Sequence, residues 1–98
     1  MNKRDYIIIL YDYYECLLNE DNKIYFKDYY FENLSLGEIA ENKSISRNAV
    51  HKHIKTIESK LLFYEEKLKL YEKDIELKKI LDQIKDQSIK KEIEKIYS

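Results

Sequence analysis

Proline is absent from this 98-residue chain and glycine occurs once, at Gly37. Those residues build the tight turns of β-hairpins, so their scarcity favours helices throughout. Cysteine also occurs once, at Cys16, which excludes an internal disulfide and fits a reducing cytoplasm. Long apolar runs are missing as well. The longest near the start, residues 6–11, is too short to cross a bilayer, and no small-residue cleavage pattern follows it. A cytoplasmic location without membrane insertion is therefore expected. No glycine-rich phosphate loop occurs, and no nucleophile stands beside a base, so neither an enzyme nor a cofactor is expected. His51 and His53 are two residues apart on different sides of a helix and cannot clamp one metal together, as an i, i+4 pair can.

What is present is charge and helical periodicity. Charged residues make up 38% and hydrophobic ones 44%, the balance of a foldable chain rather than a disordered one. The stretch LSLGEIAENKSISRNAVHKHIKTI, residues 34–57, carries the clearest pattern. Ser35 with Glu38 three residues on forms a capping box for one helix. Ile39 and Ala40 face inward, the periodicity breaks over residues 42–45, and Ile45 is read as the apolar plug of the turn. Ser46 can cap a second helix, on which Val50, Ile54 and Ile57 mark the buried stripe. Arg47, Asn48, His51, Lys52 and Lys55 are left for an outer face. This is a helix-turn-helix whose second helix is of the kind that enters a nucleic-acid groove.

The net charge of −1 hides an asymmetry. Residues 1–42 hold four bases against nine acids, residues 43–60 five bases against Glu58 alone, and residues 61–98 nine of each. Positive charge is thus concentrated on the motif, where a polyanion would be met. Arg47 and Asn48 are placed to meet base edges, while Lys43, Ser46, His51, Lys52 and Lys55 would meet phosphates or water. Duplex DNA is favoured over RNA as the ligand.

Around the motif the chain divides into a domain over residues 1–60, with helices at about 3–18, 20–31, 35–42 and 46–57, and a helical extension over 61–98. On the first helix Ile7, Leu10, Tyr11, Tyr14, Leu17 and Leu18 form the core stripe. Ile8, Ile9 and Tyr13 make it wider than one packing face needs, which suggests a partner subunit. Asn19 can cap the second helix, with Phe26, Tyr29 and Tyr30 as its core. The ten tyrosines are read as core packing with hydroxyl tips in water. From Ile54 through Ile57, Leu61, Tyr64, Leu68, Tyr71 and Ile75, steps of three and four alternate in a heptad-like seam. Self-association along it, with Ile8, Ile9, Leu61, Tyr64, Leu68 and Tyr71 at the interface, gives a homodimer that spaces two reading helices. A helix break is expected at residues 71–74, then a last short helix with Ile89, Ile93 and Ile96 on one face, in a tail from residue 85 polar enough to fray. The many acids are read as solvated helix faces.

The strings LYDYYECLL and YYFENLSLGEIAENKSISRNAVHKHIK, with the later FYEEKL, resemble the YlxM family of small bacterial helix-turn-helix proteins. The resemblance covers roughly residues 6–81. More distantly, the motif is similar to region 4 of bacterial sigma factors, which reads promoter DNA. The resemblance implies an all-α, sigma region 4-like bundle with a long C-terminal helical extension. It also implies a regulatory or accessory role beside the signal recognition particle, an association drawn from gene proximity. A sigma-like turn usually has an aliphatic residue and a glycine where this chain has Lys43 and Ser44. Ser44 is then asked for a backbone conformation that only glycine adopts freely. A competing reading is a homodimeric protein-interaction module that contacts a targeting-pathway component without reading DNA, since the acidic first 42 residues would repel nucleic acid.

Overall fold

The computed structural model describes residues 1–97 and is all-α, with no strand among the described residues. Helix α1 (Lys3–Tyr14) is capped by Asn2, whose side chain accepts from the Asp5 N–H, and ends in a 3₁₀ turn at Glu15–Leu17. The sequence pattern carried this helix to Leu18. Instead it tightens early, Leu17 lies half exposed, and Leu18 turns into the core. Helix α2 (Glu20–Phe26) is capped by Asn19 and widens into a π-helical turn at Lys27–Phe31. There Arg4 Nη2 donates to the Tyr30 carbonyl at 2.9 Å and to Asn33 Oδ1 at 3.0 Å, tying this irregular end to α1.

The motif follows as α3 (Leu36–Lys43) and α4 (Arg47–Leu68). Helix α4 is the spine, packed against α1, α2 and α3. Its Val50, Ile54, Ile57 and Leu61 meet Ile7, Leu10, Tyr11 and Tyr14 of α1, Phe26, and Ile39 of α3 in one core. Tyr11 stacks on Phe26 with centroids 4.1 Å apart, and Phe26 on Tyr30 at 4.4 Å. Burial of these large side chains, each stabilising by roughly 1.5–3 kcal/mol, holds the bundle together.

The tyrosine hydroxyls correct the sequence reading. Those of Tyr14, Tyr30 and Tyr13 do not reach for water but donate to Glu65, Glu58 and Asp74 respectively. Glu58 and Glu65 are buried on the core flank of α4, not on a solvated face. Glu65 goes further. Its carboxylate accepts from the Tyr71 and Glu72 N–H groups, both at 3.1 Å, while Tyr14 Oη accepts from the Leu70 N–H at 3.0 Å. Three free donors at the start of α5 (Leu70–Gln83) are thereby satisfied from outside the helix. The chain consequently turns at Lys69, earlier than the expected break at residues 71–74, and α5 packs back on α1.

Helix α6 (Gln87–Tyr97) is the expected last short helix, and it runs through the stretch whose polarity suggested fraying. Asp86 accepts from the Ser88 and Ile89 N–H groups and so starts it. Helices α5 and α6 give the molecule an elongated outline of 57 × 24 × 23 Å.

The residues expected at a dimer seam divide. Leu61 is fully enclosed in the chain's own core and has no surface for a partner. Ile8, Tyr64 and Tyr71 lean on that same core. Ile9 is half-buried, and Leu68 remains 43% exposed.

Candidate nucleic-acid interface

The motif is built by local chemistry. Ser35 Oγ accepts from the Glu38 N–H at 3.1 Å and Glu38 Oε1 accepts from the Ser35 N–H at 3.0 Å, which completes the capping box. The bonds from Ser35 also hold the Glu38 carboxyl below the usual carboxylate range. At the other end of α3, Ser44 sits in the left-handed region at φ 58°, ψ 42°. Its N–H donates to Glu41 O at 3.3 Å, and the Ile45 N–H donates to Ala40 O at 3.0 Å. This is a Schellman closure, normally built on glycine. Ile45 does not plug the turn. It stands 37% exposed, because the reversal at Ser44 carries the chain out before α4 begins. Ser46 then caps α4, its Oγ accepting from the Ala49 N–H at 3.1 Å.

The expected contact residues fall into distinct groups. Asn48, Lys52 and Lys55 are all exposed and recur at i, i+4, i+7. At about 100° per residue they form a crest on α4 facing away from Val50, Ile54 and Ile57. His51 is exposed on one shoulder of that crest. Arg47 is also exposed, but it lies one turn before Val50, on the core side of the helix axis. Its side chain runs beside Gly37, where a Cβ would lie 3.7 Å from Nε. It therefore extends across the first turn of α3 rather than along the crest. Ser46 is committed as a cap acceptor, although its own O–H proton can still donate.

Lys43 is half-buried with Nζ 5.2 Å from the centroid of the Tyr25 ring, on which His53 also stacks at 4.5 Å. It belongs to a small aromatic cluster beside the turn. Lys55 Nζ lies 3.4 Å from Glu58 Oε1. Lys55 keeps 55% of its side chain exposed beside this nearly buried carboxylate, so its ammonium would be shared between Glu58 and a phosphate that reaches it.

One feature of the surface went unread in the sequence. Beyond Lys55 the crest continues into an open groove of about 620 Å³ lined by Lys55, Thr56, Ser59, Lys60, Phe63 and Tyr64. Phe63 is 51% exposed there. The signal was available in the spacing, since Thr56, Ser59 and Phe63 extend the Lys52 row by helical steps. The heptad seam drew attention to the opposite side of the helix.

Among the described residues no group of acids, histidines and cysteine is arranged to hold a metal ion, and no helix is long and apolar enough to cross a membrane. A family model described as "Putative helix-turn-helix protein, YlxM / p13 like" matches residues 1–98. The chain is 44% identical to the YlxM protein of Bacillus subtilis over 77 residues, 79% of this chain and 70% of that protein. It is 39% identical to a relative from Oceanobacillus iheyensis over 100 residues, 98% of this chain and 95% of the relative. A Geobacillus relative is 42% identical over 82 residues, 84% of this chain and 74% of that protein. The match along the whole chain, on a helix-turn-helix already evident in the geometry, means that this chain belongs to the YlxM / p13-like family of helix-turn-helix proteins.

Proposed function

We propose that the protein is a nucleic-acid-binding regulator that presents α4 to the major groove of duplex DNA and catalyses no reaction. The observation that carries this reading is the division of α4 into two faces. Val50, Ile54 and Ile57 are buried, while Asn48, Lys52 and Lys55 are exposed opposite them. Asn48 is placed to pair bidentately with adenine, and the lysines to neutralise phosphates. His51 meets the flanking backbone from the shoulder and Arg47 from across the first turn of α3, with Lys43 and the Ser46 hydroxyl at the turn. Duplex DNA is favoured over duplex RNA because the deep, narrow major groove of A-form RNA does not admit a helix. A cytoplasmic location accords with such a ligand. Pairing of two copies would set two such helices at the spacing of a pseudo-palindromic site. The family resemblance extends the reading to an accessory role beside the signal recognition particle.

The test is a fluorescence titration at low salt with random duplex DNA, the particle RNA and the particle's protein subunit as ligands. A variant with Arg47, Lys52 and Lys55 each replaced by Glu should lose DNA binding while its far-ultraviolet circular dichroism is unchanged. Unaltered DNA affinity in that folded variant sinks the assignment. Tight, salt-tolerant binding to the protein subunit alone would favour an interaction module instead.

A further inference from the structure

The joint between α4 and α5 is one residue long, and that residue is a lysine in the left-handed conformation (Lys69, φ 54°, ψ 34°). A side chain there is strained where glycine would not be. Across the same joint the seam Ile54, Ile57, Leu61, Tyr64, Leu68, Tyr71, Ile75 keeps its three-four alternation without a slip. The spacing of the seam is thus that of one continuous helix through the joint, and the turn at Lys69 opposes it. Straightening would relieve Lys69 and return the Leu70, Tyr71 and Glu72 N–H groups to the carbonyls four residues back, in place of Tyr14 and Glu65.

Helix α5 is held against the body by few contacts. Tyr71 sits between Tyr6 and Tyr13, with centroids 5.9 and 5.7 Å away, and Tyr13 donates to Asp74. Each of these can be made identically by the α5 of another copy. Exposed apolar side chains also gather around the joint, Leu62, Leu68 and Leu70 among them. They have no cover in one chain and would meet their counterparts where two straightened helices cross.

We infer that two copies of the chain dimerise by exchanging α5, with Lys69 as the hinge, so that each α5 docks on the α1 face of the other copy. Short strained connectors favour such exchange, because the contacts of α5 with α1 are remade in the dimer, the three N–H groups gain helical acceptors, and the strain is not remade. The inference rests on the pairing of copies put forward above and not on DNA binding. It specifies how the copies join.

The experiment combines sedimentation with cross-link topology. In a Cys16→Ser background, Ile9→Cys and Leu77→Cys place one thiol on α1, one turn before Tyr13, and one on α5 in the pocket it shares with Tyr13, leaving the Tyr13 contacts with Tyr71 and Asp74 intact. A short bismaleimide is added at high micromolar protein. Exchange gives covalent dimers on a denaturing gel. Lys69→Gly, which eases the turn and weakens the continuous helix, should raise the dimer dissociation constant at least about tenfold and move the cross-link within one chain. Leu68→Asp, at an exposed site of the folded monomer, should weaken the dimer in the cysteine-free background. A wild-type chain that sediments as a monomer overturns both pairing and exchange. A dimer whose cross-links stay within each chain overturns exchange and leaves pairing standing. Either result is independent of the DNA titration.

Discussion

Buried carboxylates beside tyrosine hydroxyls are the residue-scale feature that sequence pattern concealed. Glu58 and Glu65 are seven residues apart on α4 and flank the Ile54–Ile57–Leu61 stripe, so helical spacing alone could have placed them at the core margin. Their partners are distant in sequence, at Tyr30 and Tyr14, and no local rule pairs them. The arrangement has a consequence at high pH. Burial pushes the Tyr11 and Tyr14 phenols up to about 12, and Tyr13 and Tyr30 are raised further by burial and a carboxylate each. A folded value above the unfolded one means that the neutral phenols contribute stability fully below the unfolded value of about 10. That stability is lost as pH rises through the folded values. Tyrosinate absorbance from these residues should therefore rise together with loss of helicity above pH 10. A titration showing every tyrosine ionised while the far-ultraviolet signal stays helical would count against the buried pairs.

Element boundaries separate what is legible locally from what is not. The capping box at Ser35 and Glu38 and the cap at Ser46 stand where short-range chemistry puts them. The demand on Ser44 was equally visible from the missing glycine, and its φ of 58° meets it. Ser44→Gly should accordingly stabilise the protein by roughly 0.5–1 kcal/mol, since the strain removed exceeds the entropy added to the unfolded chain. A urea titration showing no gain or a loss of stability would mean that the Ser44 side chain matters in its own right. Long-range contacts account for the misplaced boundaries. The α4–α5 break is expected at residues 71–74, ahead of the weakening of the hydrophobic seam at Lys78. It lies at Lys69 because Tyr14 on α1 and Glu65 on α4 capture the next three N–H groups. The last short helix was legible in the spacing of Ile89, Ile93 and Ile96, and Asp86 caps it.

At the scale of the whole molecule, charge decides how a polyanion can approach. The five bases of residues 43–60 lie on the turn and on α4, while residues 1–42 carry nine acids against four bases. On the proposed reading a duplex would be drawn to the α4 crest and repelled by the acidic first 42 residues, which would fix orientation more than add affinity. Contact by Lys52, Lys55 and a few neighbours amounts to roughly three to five phosphates, so log affinity should fall with log salt at a slope of about −3 to −4.5. Lys52→Gln should reduce that slope by about one while leaving sequence preference unchanged, because a phosphate contact carries no base information. Asn48→Ala should do the reverse, relaxing preference at one position with the slope unaltered. Anisotropy titrations of both variants across a salt series separate the two roles. Equal effects on slope from both substitutions would mean that the crest touches backbone only, and that α4 lies across the duplex rather than in its groove.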